Sequence, residues 1–567
     1  MGLSLIVQYS DIYQKEKHPS LDSLLAKTPS RLVIGLVSFI NGTLHFNPQD
    51  IEMQMYFVNK LTERNDHRTR TDIINRFKRF IRINPDKSIS IFTSYTMTWL
   101  IQWEIQNYRR IDFSTPSPEH EYNVLIAILI ANSQIHTYQN DYKQKGKSIY
   151  EILWPITLPQ LEFYNNRFFI QNLYFSIQFL SYLENRYPKE FSDYLLSFNV
   201  SAKNELLNNI LELIINGYNK DFNYYNNKFS STILDNNRIL KSLAVDIETI
   251  NQNEQKQVSN NMHFKYLRKH PLIKYKNGYF DVSNWGFVLN KLNTTALLFD
   301  FYYNSPLCRK KQFIQYKNDI GKEFSENILF SNIISRVFHD KNYIHITPDK
   351  NKHINVDYYL RKNNIIFLFE YKDYTVSDIV KNGSYQTIKN YIDKHFIETE
   401  NGQKKGVFQL STQIETLISK FSEIEKKFES ELEMRRLIIF PIIIVKDNSF
   451  TLPGLNSYLK EVLLEKTKFY NKHFFLISAL TIIELDTFIS LEDKLINKEL
   501  LLETLIHNYH IKIGTYKYLN NKNKNPESHF SSLLSFTDCI ENKIILTQPF
   551  SERIFSIIKK ELSETVN

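Results

Sequence analysis

A mixed α/β fold behind a mainly α-helical first half is what the sequence predicts, and three observations predict it. From about 50 to 250, apolar residues recur at helical three and four spacings, as in "NELLNNILELIINGY" at 204 to 218. The pattern then changes after a polar stretch, "NQNEQKQVSNN", 251 to 261. Between 321 and 447 the order is helix, three short strands, helix and a further buried strand, which calls for a central sheet flanked by helices.

The elements follow in order. Leu161 to Tyr187 and Asn204 to Tyr218 read as helices, the second with Gly217 as its stop. The densest basic run is "RNDHRTRTDIINRFKRFIRI", 64 to 83, where Arg76, Lys78, Arg79 and Arg82 share a predicted helix with Phe77, Phe80 and Ile81. Arg76 and Arg79 are candidates for tracking phosphates; the plainer reading is an amphipathic helix with a solvated basic face and its aromatics in the core. The stretch 251 to 261 is the expected linker, dividing residues 1–260, a recognition or regulatory region, from 261–567. "LIKYKNGYFDV", 272 to 282, carries a hairpin signal at Asn277 and Gly278, with helical text from Trp285 to Leu298. Residues 321 to 338 form a predicted helix with Leu329, Ile333 and Val337 on one side. Strands are expected around 343 to 347, 353 to 360 and 365 to 372, then a polar helical insertion at 377 to 400, a helix at 407 to 429, a strand at 435 to 447 and a C-terminal extension.

Composition bounds the function. At 567 residues the chain exceeds one ordinary core, and 42% hydrophobic and 14% aromatic content suits packed interiors rather than disorder. Lys plus Arg outnumber Asp plus Glu by 70 to 61, a mild excess compatible with a polyanionic partner. Two distant cysteines, Cys308 and Cys539, make neither a disulfide framework nor a zinc cluster, and suit a reducing cytosol. Without a leader, lipidation signal or membrane-length apolar run, the expectation is a soluble cytoplasmic protein. No glycine-rich phosphate loop and no HExxH occurs.

The chemistry is expected in "NVDYYLRKNNIIFLFEYKDY", 355 to 374, where the apolar run Ile365 to Phe369 ends in Glu370, Tyr371 and Lys372. If strands 353 to 360 and 365 to 372 make a hairpin with Leu360 opposite Ile365, Asp357 lies across from Leu368 and diagonal to Glu370. Alternation then puts Asp357, Glu370 and Lys372 on one sheet face. Two carboxylates there suit a hard divalent cation, and the ammonium can orient an attacking water. Acidic-x-Lys triplets also occur at Asp141, Glu254, Glu425, Glu492 and Glu541, but only Glu370 closes a buried-looking strand preceded by an acidic one. The plain alternative is a solvated strand end with a surface ion pair.

In these residues, 321 to 447 resemble the PD-(D/E)xK nuclease superfamily, with its restriction-endonuclease-like fold. Asp357 matches the acid of the first motif strand, Glu370 and Lys372 the second motif, and Glu326 the acid of the preceding helix, ahead of Glu323; Val356 stands where the motif's name has Pro. The resemblance implies Mg²⁺ or Mn²⁺ held by Asp357, Glu370 and the Tyr371 carbonyl, Lys372 at the nucleophilic water, and Gln409, or Gln413, from the helix after the motif. Lys405 is a further candidate phosphate contact. The implied protein is an endonuclease, with DNA the first expected substrate and RNA the alternative, in prokaryotic restriction or anti-phage defence. Cutting both strands of a duplex with one site per chain would call for a homodimer. A nucleic-acid-binding or assembly module that has kept the fold and lost turnover is the competing expectation.

Overall fold

The computed structural model describes residues 4–14, 17–47, 50–85, 87–111, 117–136, 148–161, 163, 169–218, 229–230, 234, 237–249, 264–276, 278–425, 434–514, 531–544, 552 and 556. Its chain divides into two compact units, one of residues 1–145 and 189–297, the other of 146–188 and 298–567. The expected linker at 251 to 261 and the lysine-rich 517 to 526 lie outside the described residues. No helix among the described residues is long and apolar enough to cross a membrane.

The first unit is mainly helical, as its periodicity predicts, with helices at Ser30–Phe46, Ile51–Thr62, His67–Arg82, Ser94–Gln106, Pro118–Ile135 and Lys203–Tyr218. The expected hairpin forms from Leu272–Lys274 and Tyr279–Val282, with Gly278 at φ 80° in its turn. It belongs to this helical unit because its strands pair with Ala244–Asp246 on one side and Phe229–Ser230 on the other. Pairings of that range leave no local signal.

The second unit is built on a mixed sheet. Its strands are β1 (Ile344–Ile346), β2 (Tyr358–Lys362), β3 (Ile365–Lys372), β4 (Ile438–Val445), β5 (Leu476–Ile477) and β6 (Thr481–Glu484). β1, β2 and β3 pair antiparallel, and β4 joins β3 in parallel. A parallel neighbour requires a crossover, supplied here by α2 (Tyr385–Phe396) and α3 (Gly406–Ile424), which follow α1 (Asn332–Val337) in the chain. β5 and β6 lie successively along the far side of β4. Between them, the carbonyl of Leu480 and the N–H of Ile482 bond the side chain of Asn456, at 3.1 and 2.7 Å.

β3 is buried on both faces. Ile366 and Leu368 sit in a core with Val407, Leu410, Ile414 and Leu417 of α3, while Phe367 and Phe369 meet Phe338, Phe440 and Phe488 on the other side. Trp154, wholly buried, closes the first core and donates its indole N–H to Pro453 at 3.0 Å. The segment 377 to 400 is less polar in place than in sequence, since Ile388, Ile392 and Phe396 enter the same core. The predicted helix 321 to 338 differs too: Gly321–Ser331 winds as a wide π-type helix before the α-helical α1, with Leu329, Ile333 and Val337 buried as expected. Cys308 is a free, exposed thiol.

Candidate functional site

The predicted hairpin is present with a different register. β2 begins at Tyr358, and Lys362 pairs with Ile365 across the two-residue turn Asn363–Asn364. Asn363 takes the left-handed conformation, φ 52°, that asparagine tolerates better than most residues. Leu360 therefore faces Phe367, not Ile365, and the next step beyond the Tyr358–Phe369 pair brings Asp357 opposite Glu370. The slip is two residues, a full side-chain period, so the predicted common face survives it.

Asp357 stands just before β2 because its carboxylate takes the role of a ladder acceptor, receiving the Tyr371 N–H at 2.6 Å. Gln413 pins the approach to it: its Oε1 accepts from the N–H of Asn355 at 2.5 Å, and its amide donates to the carbonyl of His353 at 3.3 Å. Buried and fully used in this way, Gln413 is a support, and Gln409 is the glutamine at the site. Lys372 Nζ donates to Glu370 Oε1 at 2.5 Å and to Gln409 Oε1 at 3.1 Å. Glu370 is 1% exposed, and its Oε2 is buried with no hydrogen-bond partner. A bare buried carboxylate oxygen is costly, which makes this atom the most conspicuous feature of the site.

Glu326 comes from the π-type helix. Its neighbour Ser325 hydrogen-bonds Asp373 just beyond the motif lysine, and Phe330 stacks on the Tyr371 ring at 5.1 Å, which fixes that helix against the end of β3. Glu323 is spoken for, accepting from Tyr182 at 2.7 Å and from Arg186 at 3.0 and 3.2 Å. Of the two helix acids, Glu326 is thus the one that shares a field with the strand carboxylates.

That field is strong. Burial, then the Asp357 charge, pushes Glu370 up to about 8 despite the opposing pull of Lys372. Glu326 is pushed up to about 7 by burial and by Asp357. Burial also raises Asp357, against Lys372 and the Tyr371 N–H. Burial alone would lower the Lys372 ammonium, but Glu370 and Asp357 outweigh it and hold it above the usual lysine value. Lys372 is therefore a cation at neutral pH, suited to orienting a water or a phosphate oxygen rather than to taking a proton. Lys405, at the start of α3, is lowered by burial and by the charge of Lys372. It lies at the rim.

Among the described residues no group of three or more His, Cys, Asp or Glu side chains is arranged to hold a metal ion. Asp357 and Glu370 are a two-carboxylate set, which fits a Mg²⁺-like ion that keeps several waters, and the unpartnered Glu370 Oε2 is the atom such an ion would satisfy. Of the Tyr371 backbone, the contact described is its N–H bond to Asp357. Arg76 and Arg79 belong to the first unit. There Arg76 pairs with Asp72 at 2.9 Å and lies 5.0 Å from the Tyr13 ring centroid, Arg79 is exposed, and Phe77 and Phe80 are core residues.

Sequence reasoning missed two partners. Glu425, read as part of the helix 407 to 429, is buried just past α3, where it accepts from Tyr359 and from two of the three Arg361 nitrogens, Nε at 2.6 Å and Nη2 at 2.5 Å. Asp373, bonded to Ser325 and 3.7 Å from Lys446, was not singled out. Both pairings join residues far apart in the chain, and neither carries a local pattern.

No family model, no curated protein and no solved structure matches the chain.

Proposed function

We propose that the second unit is a metal-dependent nuclease that hydrolyses phosphodiester bonds, with DNA as the first substrate to test. One observation carries this reading: the buried, unpartnered Glu370 Oε2 stands in an acidic group with Asp357 and Glu326, beside an ammonium held by Glu370 and Gln409. A core made of an antiparallel three-strand run with a parallel strand added through helices supports it, since both acids then stand near the end of β3. Asp357 and Glu370, with the Tyr371 carbonyl, would hold Mg²⁺ or Mn²⁺. Such an ion, when bound, supplies charge stabilisation to the phosphate and acidifies a water. Lys372 orients the attacking water, and Gln409 holds the ammonium in line. Glu326, pushed up to about 7, would exchange a proton with solvent near the acids.

The test is digestion of labelled single- and double-stranded DNA and RNA with and without Mg²⁺ or Mn²⁺. Wild type cuts at least one substrate only with metal, and Glu370→Ala and Lys372→Ala lose cutting by two or more orders of magnitude while still binding it. Absence of metal-stimulated cutting on every substrate refutes the nuclease. Retained binding would then favour a nucleic-acid-binding module without turnover, a reading to which the closed Lys372–Glu370 ion pair and the lack of a third clustered ligand among the described residues lend weight. Restriction or anti-phage defence is the biological setting proposed for the active enzyme.

A further inference from the structure

A patch of rings adjoins the acidic group. Tyr374 lies two residues past Lys372, half-buried, with Lys372 Nζ 5.9 Å from its ring centroid. Its ring is 4.2 Å from the imidazole of His395, which also lies 4.3 Å from Tyr391, and the Tyr391 hydroxyl donates to the Thr375 carbonyl at 3.0 Å. Lys405 joins them through the backbone. A turn from 398 to 404 brings the Lys405 N–H back to the Ile397 carbonyl at 2.9 Å, two residues from His395. Gly406 makes this return possible: its φ is +35°, and a Cβ there would stand 2.8 Å from the Phe396 carbonyl oxygen.

The patch is cationic around neutral rings. Burial first, then Lys394, Lys317, Lys405 and Lys372, pushes the His395 imidazole down to about 4, so it is uncharged at neutral pH. Lys394 pairs with Glu400 at 3.4 Å, whereas Lys317 and Lys405 form no ion pair among the described residues. Half-buried aromatic rings beside lysines, bordering a candidate hydrolytic site, are the ingredients of a stacking platform with phosphate contacts.

We infer that Tyr374, His395 and Lys405 form a docking rim for the nucleotide next to the scissile phosphate. Its base stacks on Tyr374 and His395, and its phosphate meets Lys405. A base inside a duplex presents no free face, so the substrate is single-stranded or locally unpaired nucleic acid. This inference rests on the nuclease reading and adds its substrate class.

The experiment is fluorescence anisotropy of the full chain with a short labelled single strand and a hairpin duplex, in EDTA so that nothing is cut. Wild type binds the single strand more tightly. Tyr374→Ala weakens that binding by about tenfold or more while changing duplex binding little, and Tyr374→Phe, which keeps the ring, restores it. Replacing Lys405 by Ala lowers the slope of log affinity against log salt by about 0.7, for the one phosphate it no longer neutralises. A folded Tyr374→Ala protein that binds the single strand as wild type does, or a wild type that prefers duplex, overturns the rim and leaves the nuclease reading standing. A wild type that binds and cuts no nucleic acid overturns both.

Discussion

Glu370 and Glu326 set the pH behaviour of the site. Pushed up to about 8 and about 7, both hold protons in part at neutral pH, and a divalent ion held by Glu370 would displace the proton there. The Mn²⁺ concentration needed for half-saturation is therefore expected to fall as pH rises from about 6 to about 9, and calorimetric titrations in buffers of different ionisation heat should register proton release; a flat profile contradicts the assignment. The same shifts fix a sign for stability. A carboxyl raised above its ordinary 4.5 keeps a proton in the folded chain that the unfolded chain has lost, so this contribution is full below 4.5 and disappears as pH climbs toward about 8. Urea midpoints of the metal-free protein should show this loss, and Glu370→Gln should flatten it. At this scale the sequence was informative, because charges closing an apolar strand are costly: Glu370, Lys372 and Asp357 stood out, and Gln409 is the glutamine that meets Lys372 while Gln413 bonds the backbone of Asn355 and His353. Glu425 did not stand out, because its partner Arg361 lies 64 residues away and nothing local marks it.

The hairpin shows which elements can be read from a sequence and which properties cannot. Apolar runs marked β3 and β4, and helical periodicity marked α3. Register eluded local reasoning because the turn at Asn363 is shorter than supposed; since the shift equals one side-chain period, the common face was still found. The π-type winding of 321–331 has no signature distinct from an α-helix in its apolar spacing. What holds β2 in place is testable. The Arg361–Glu425 pair is buried on both sides, so Glu425→Ala leaves a guanidinium without its carboxylate and should lower stability by about 3 kcal/mol or more, read from denaturant unfolding. A change under about 1 kcal/mol, as for an exposed pair, would show that the strand is held otherwise.

For the molecule as a whole, composition indicated more than one core and periodicity separated a helical region from a mixed one, but the path of the chain between them was hidden. Residues 146–188 belong with 298–567, and 189–297 with the N-terminus. The signal that could have revealed this is faint: Trp154 sits in text that reads as helix, and its packing against Tyr385 and Tyr458, at 5.6 and 5.5 Å, with its bond to Pro453, assigns it to the core of the second unit. A fragment of residues 261–567, the division that the sequence suggests, would lack Trp154 and its neighbours Leu158 and Leu161. It should express poorly or unfold without a cooperative transition, whereas the full chain unfolds cooperatively; a well-folded, cooperative fragment would contradict this account of the core.

The claim on which the rest depends is that the Asp357 and Glu370 carboxylates hold one divalent ion between them. A crystal structure of the protein soaked in Mn²⁺, with anomalous diffraction locating the metal, tests it most directly. The account predicts a single ion coordinated by Asp357 and by the Glu370 Oε2 that lacks a partner without it, and no ion in Glu370→Ala crystals. Mn²⁺ sites elsewhere, with this pocket empty and Lys372 still bonded to Glu370, would contradict it.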